Sequence, residues 1–175
     1  MTARDSVDDH LNRWLKVLPS LDPTVEGVVK RMWVLTKHLG ATKEESLAAH
    51  GLQTFEYVTL HALAGREGVA SPSELATDLK LSPSAMTGRL DGLEQRGFVR
   101  RSPSTVDRRR LDVRLTDEGR AAWQGALESQ GREEHRILRA LSPDERGQLE
   151  DLLRRVLIEA EQRDDQRDDQ RDDLR

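Results

Sequence analysis

The segment Ser71–Gly119, SPSELATDLKLSPSAMTGRLDGLEQRGFVRRSPSTVDRRRLDVRLTDEG, leaves few folds open. Two Ser-Pro pairs, Ser71-Pro72 and Ser82-Pro83, each join a capping hydroxyl to a proline at the first helical position. That combination starts a helix and is not tolerated inside one. Glu74 follows Ser71 at the spacing that completes a capping box. Leu75 and Leu79 face inward on the first helix, and Met86, Leu90 and Leu93 form the buried stripe of the second. Gly97 supplies the C-terminal stop. Phe98–Ser102 and Asp112–Thr116 then alternate like paired strands, around a loop holding Pro103, Ser104 and Asp107. The predicted order is helix, turn, helix, hairpin.

The hairpin is basic. From Arg96 to Arg120 eight arginines face four acids, a net +4 in a chain whose overall charge is −4. Local charge, rather than net charge, sets contact with phosphate. The helix Ser82–Arg96 carries Ser84, Thr87, Gly88 and Asp91 on the side away from its apolar stripe. These residues are small and hydrogen-bonding, so the helix can lie close to base edges. At the hairpin tip, Asp107 can pair with a neighbouring arginine and hold the tip in shape. Arg108, Arg109 and Arg110 suit a narrow minor groove, because a guanidinium is planar and weakly hydrated. Ser82, Ser84, Thr87, Arg89, Arg108, Arg109 and Arg110 are therefore the candidate DNA contacts.

Helical patterns flank this segment. Residues 1–6 are expected to be loose. Val7, Leu11, Trp14, Leu15 and Leu18 recur at helical spacing before Pro19 and Pro23. Val25, Val28, Val29, Met32, Thr36 and Leu39 make a longer stripe. Gly40 and the box Thr42-x-x-Glu45 leave open one helix to about Ala49 or two. Gln53–Gly65 reads as a further helix, and Thr116, Asp117 and Glu118 start a long one towards Ala140. Ser142-Pro143-Asp144-Glu145 caps the last. It carries Leu149, Leu152, Leu153, Val156, Leu157 and Ala160 on an otherwise charged helix, a stripe that something must cover. The RDDQ repeat from Arg163 has no apolar residue before Leu174 and reads as a solvated, disordered extension.

The motifs Glu74-Leu75-Ala76, Met86-Thr87-Gly88-Arg89-Leu90, Leu93–Arg101, Asp107-Arg108-Arg109 and Val113–Gly119 together resemble the MarR family of winged-helix transcription regulators. With the flanking helices the resemblance covers roughly Leu11–Gln162. It implies a mainly α fold with a small β-wing: a winged helix-turn-helix plus a helical dimerisation lobe. The implied divisions are a flexible N-terminus at 1–6, N-terminal dimerisation helices at 7–52, the DNA-binding lobe at 53–119, C-terminal dimerisation helices at 120–162 and the charged tail at 163–175. It further implies a homodimer on a double-stranded, pseudo-palindromic operator, most simply a repressor released by a small organic effector. Trp14 on an extra N-terminal helix, with Pro19-Ser20-Leu21-Asp22 after it, is similar to the branch that responds to urate or small carboxylates. On that likeness Trp14, Glu56 and Arg89 are the candidate ligand residues, and the effector is aromatic or a carboxylate. The chain departs from that branch in having Glu56 where aspartate is usual and Leu63 where a ligand arginine stands. Loss of that arginine removes bidentate capture of an anion. Two alternatives stay open: a winged-helix module that binds a protein partner, and a DNA-binding regulator that senses no ligand.

Other chemistry finds no support in the sequence. There is no cysteine, hence no disulfide, thiolate metal site or thiol redox sensor. The histidines (10, 38, 50, 61 and 135) form no metal-ligand pair, and neither a Gly-rich phosphate loop nor a nucleophile elbow is present. No metal, no cofactor and no catalytic residue is expected. The N-terminus lacks an apolar signal core and no run is long enough to span a membrane, so a cytoplasmic protein is expected.

Overall fold

Side-chain caps set the helix starts. The computed structural model of the chain describes residues 4–104 and 110–172. In chain order these form α1 (Ser6–Val17), α2 (Pro23–Ala49), α3 (Thr54–Gly65), β1 (Val69–Ala70), α4 (Pro72–Asp78), α5 (Pro83–Gln95), β2 (Val99–Pro103), β3 (Leu111–Leu115), α6 (Asp117–Leu138) and α7 (Pro143–Asp172). At α4, the Ser71 hydroxyl accepts from Glu74 N at 3.3 Å and the Glu74 carboxylate accepts from Ser71 N at 2.7 Å. At α5, Ser82 accepts from Ala85 N at 3.2 Å. At α7, Ser142 and Glu145 repeat the box, at 3.3 and 2.8 Å. Each cap supplies a partner that the first turn of a helix lacks.

The sheet is antiparallel, in the order β1-β3-β2. Val99 pairs with Leu115 and Pro103 with Leu111 across the hairpin, while Val69 and Ala70 pair with Arg114 and Val113. Leu60, Leu63, Leu75, Met86, Leu90, Leu93 and Val113 are 0–1 % exposed and make the core on which α3, α4, α5 and the sheet pack. The Met86, Leu90 and Leu93 stripe is the one read from the sequence. Gly97, at φ +74°, turns the chain from α5 into β2.

The structure departs from three expectations and decides a fourth that stood open. Asp5 and Ser6 are not loose: Asp5 caps α1, accepting from Val7 N at 2.8 Å, and binds Arg31 of α2 at 2.8 Å. That guanidinium holds the Asp5 carboxyl below its ordinary range. Second, α2 runs unbroken through Gly40, so Thr42 and Glu45 start nothing; one glycine costs a long helix only about 1 kcal/mol. Third, Val69–Ala70 form β1, a strand between α3 and α4 where no strand pattern is expected. Finally, α7 continues through the charged repeat to Asp172 instead of stopping at Arg163. No proline or glycine follows Gly147, so nothing ends helix propagation there.

The chain divides into two compact units, Met1–Glu133 and Glu134–Arg175. The first leaves Val25, Val28, Val29 and Leu35 of α2 exposed. In the second, Leu149, Leu152, Leu153, Val156, Leu157 and Ile158 of α7 are all exposed. No described helix is long and apolar enough to cross a membrane.

Candidate nucleic-acid interface

The outward side of α5 follows from its buried side. With Met86, Leu90 and Leu93 committed to the core, helical geometry turns Ser84, Thr87 and Gly88 to solvent, and all three are exposed. Ser82 and Ser84 place their hydroxyl oxygens 3.1 Å apart at the helix start. Thr87 donates its hydroxyl proton to the Pro83 carbonyl at 2.9 Å. Its oxygen therefore remains an acceptor, and the exposed side chain also carries a methyl group, a pair of functions suited to an amino edge or a thymine methyl. Gly88 meets no atom within 4 Å of where a Cβ would stand, so the absence of a side chain there is not required by packing. Gly88→Ala is expected to raise stability by about 1 kcal/mol through helix propensity. The same change should weaken operator binding roughly tenfold, the scale of one lost base contact. Thermal unfolding beside a DNA titration reads both effects, and unchanged affinity would show that this face does not approach bases.

Asp91 is drawn away from that face. Arg101 of β2 binds Asp91 at 2.7 Å and Glu94 at 2.6 Å, and Arg101 N donates to Glu94 at 2.9 Å. The Arg101 guanidinium holds the Glu94 carboxyl below the usual carboxylate range, and the two acids raise Arg101 in return. This cluster fastens the first wing strand to the end of α5.

Arg110 stands at the foot of the wing. Its guanidinium lies 3.3 Å from Ser71 Oγ and 3.6 Å from the Glu74 carboxylate. Glu74 is held below its ordinary range, first by the Ser71 hydroxyl and its backbone N–H, then by Arg110 and Arg66. Arg110 borders a notch of about 310 Å³ shared with Ser73, Pro83 and Thr87. The structure thus brings Arg110 and Thr87 to one recess beside the start of α5. Asp107, Arg108 and Arg109 lie outside the described residues.

Arg89 points elsewhere. Its guanidinium carbon sits 5.6 Å from the centroid of the Phe55 ring, a cation–π distance. Arg89 and Phe55 line a cleft of about 690 Å³ with Glu44, Leu47 and Ala48 of α2, Gln53, Thr54 and Val58 around the start of α3, and Leu79. Neither Trp14 nor Glu56 is among its lining residues. Trp14 is on α1, 6.0 Å from the His10 ring, and is 43 % exposed. Glu56 is 3 % exposed, and its carboxylate accepts from Gln53 N at 2.8 Å and from Arg96 at 2.5 Å. Leu63 is fully buried in the core, so this chain has no ligand-facing side chain at that position. His61 accepts from the Trp123 indole at 3.1 Å and stacks on Tyr57. Among the described residues no group of His, Asp and Glu is placed to hold a metal.

Comparison with known proteins matches this geometry to a family. The MarR family profile matches residues 55–111, from the start of α3 to the foot of the wing. The HTH-type transcriptional regulator PecS of Dickeya dadantii is 32 % identical over 152 residues, 86 % of this chain and 92 % of that protein. The chain belongs to the MarR family. The transcriptional repressor MprA of Escherichia coli K12 is 33 % identical over 121 residues, 69 % of each chain. Among solved structures, the YusO protein of Bacillus subtilis superposes with a TM-score of 0.68 at 25 % identity, covering 77 % of this chain and 94 % of that one. The winged helix-turn-helix is therefore a MarR-family one, and the family's members are DNA-binding transcription regulators rather than enzymes. Sequence reasoning missed Phe55 as the platform for Arg89, and Arg96 and Arg101 as the anchors of α5. Their partners are remote in sequence or carry no motif.

Proposed function

We propose that this MarR-family chain is a homodimeric repressor that occupies a pseudo-palindromic operator and is released by a small organic molecule. The observation that carries the reading is the placement of α5 between two surfaces. Its outward residue Thr87 shares a recess with Arg110, while its Arg89 lines the cleft with Phe55. One helix thus presents hydrogen-bonding groups to DNA and a cation to an effector. Ser84 and Thr87 read bases or backbone, Arg110 contacts phosphate, and Arg108 and Arg109 supply minor-groove and phosphate affinity. The exposed apolar stripe of α2 and that of α7 are each a surface for the partner copy to cover.

Arg89, over Phe55, is the effector contact, and an aromatic carboxylate fits both groups. Trp14 and Glu56 act outside this cleft. Repression is lifted by linkage: an effector that prefers the dimer geometry with misplaced α5 helices shifts the equilibrium by about 1–3 kcal/mol.

A mobility shift with DNA from upstream of the chain's own gene tests this, with urate, citrate and salicylate added in turn. Specific binding relieved by salicylate or urate is expected. Arg109→Ala should weaken binding and reduce the salt slope by about one counterion. Specific binding that none of the three relieves would remove the effector from the function, and a salt-independent complex would point to a protein partner instead.

A further inference from the structure

Arg96 is the residue that closes α5, and it makes more ties than a helix end needs. One guanidinium nitrogen donates to Glu56 Oε2 at 2.5 Å and another to the Gly51 carbonyl at 2.6 Å. The same group stacks on Phe98, 4.6 Å from the ring centroid. Each partner belongs to a different element. Glu56 is in the first turn of α3, Gly51 is in the turn that leaves α2, and Phe98 leads into β2. Gly51 has φ +64°, which fixes the direction of its carbonyl in a conformation that other residues rarely adopt. The Glu56 carboxylate is buried, so its charge has few alternatives to Arg96. A lysine could not reproduce this fork, because an ammonium is a point charge without a planar face.

The location matters more than the strength. α2 carries an exposed apolar stripe, and α5 carries the groups that face bases. Between them stand the α2–α3 turn and the start of α3, both bridged by Arg96. We propose that Arg96, acting through Glu56 and the Gly51 carbonyl, is the positioning residue that fixes α5 against the end of α2 and so sets the half-site spacing a dimer accepts. This rests on the dimeric-reader function proposed above. Glu56 then serves DNA recognition at a distance: its carboxylate takes the Gln53 N–H and the Arg96 guanidinium on one oxygen. Gln53, Thr54 and Phe55, cleft residues at the start of α3, adjoin that tie. An occupant that moves Phe55 therefore pulls on the brace that holds α5.

The test is selection from a random-sequence DNA pool with the full chain, with Arg96→Ala and with the double variant Glu56→Gln/Arg96→Met. The double variant leaves no orphan charge and keeps an amide oxygen to accept from Gln53, so it serves if Arg96→Ala fails to fold. The parent is expected to enrich paired half-sites at one spacing. Both variants should enrich the same half-site sequence at several spacings and bind the parent's site roughly tenfold more weakly, within the usual range for coupled sites. A folded variant that keeps the parent's single spacing and affinity would overturn the inference. So would loss of binding at every spacing, since Arg96 would then be needed for contact and not for placement. A parent that enriches no paired half-sites would overturn the dimeric-reader function itself, and the brace with it.

Discussion

Replacing Gly119 with alanine is expected to destabilise the unit Met1–Glu133 by about 3 kcal/mol. For a chain of this size that corresponds to a loss of roughly 6–12 °C in melting temperature. A Cβ at this position would stand 2.0 Å from the Phe98 carbonyl oxygen and 2.8 Å from its carbon. Both are backbone atoms, so no rotamer change relieves the clash. The backbone is also held from the other side. Thr116 N donates to Phe98 O at 3.1 Å, the Thr116 hydroxyl lies 2.7 Å from Gly97 O, and Gly119 N donates to that hydroxyl at 3.0 Å. The first turn of α6 is thus laid directly on the chain that links α5 to β2. An added methyl must lift α6 or bend the link, and either movement disturbs Val99 and Leu93 beneath. Gly131→Ala is the control. It lies further along α6 with nothing within 4 Å of its Cβ position, and it should leave stability unchanged or raise it by up to about 1 kcal/mol. Thermal unfolding of the two variants beside the parent decides the matter. Equal melting temperatures would mean that α6 does not sit on Phe98 in solution.

Gly119 was visible in the sequence only as the last letter of a family-like motif, and its reason was not. The same division runs through the whole chain. Whatever depends on a few neighbouring residues was legible: the boxes at Ser71 and Ser142, the prolines at the starts of α4, α5 and α7, the stop at Gly97, and the Met86, Leu90 and Leu93 stripe. These signals act over one or two helical turns, and the sequence displays them directly. What depends on distant partners was not legible. The two-residue strand β1 exists because β3 offers Val113 and Arg114 as partners, not because Val69 and Ala70 have a pattern of their own. Glu56 reads as a ligand acid from its place on α3, yet its partner is Arg96, forty residues on in the chain. Arg89 reads equally as a phosphate or an effector contact, and only the Phe55 ring beneath it shows which way it turns. The unbroken course of α2 was ambiguous because a lone glycine and a lone capping box each carry little energy beside the packing of a helix 27 residues long.

A carboxylate in the α7 stripe should have the second large effect. Leu153→Glu is expected to weaken self-association by a factor of roughly 100 or more, since burying an unpaired charge costs several kcal/mol. Six apolar side chains of α7, Leu149 to Ile158, are at least 37 % exposed. Nearby charges on the same helix are already arranged for water: Arg154 pairs with Glu150 and Asp151. An apolar stripe bordered by solvated ion pairs is the composition of a helix face that another helix covers. If that cover is a second copy, Leu153→Glu forces a charge into the seam and the dimer dissociates. Operator affinity should then fall further than any single base contact explains, because one winged helix alone would hold only half the site. Light scattering across a dilution series measures the dimer, and a DNA titration measures the consequence. Arg155→Glu adds negative charge about 160° from Leu153 around the helix and should leave the dimer intact. Dissociation in both variants would assign the effect to charge alone. A Leu153→Glu chain that remains dimeric would place the seam elsewhere, with the α2 stripe of Val25, Val28 and Val29 as the remaining surface to cover.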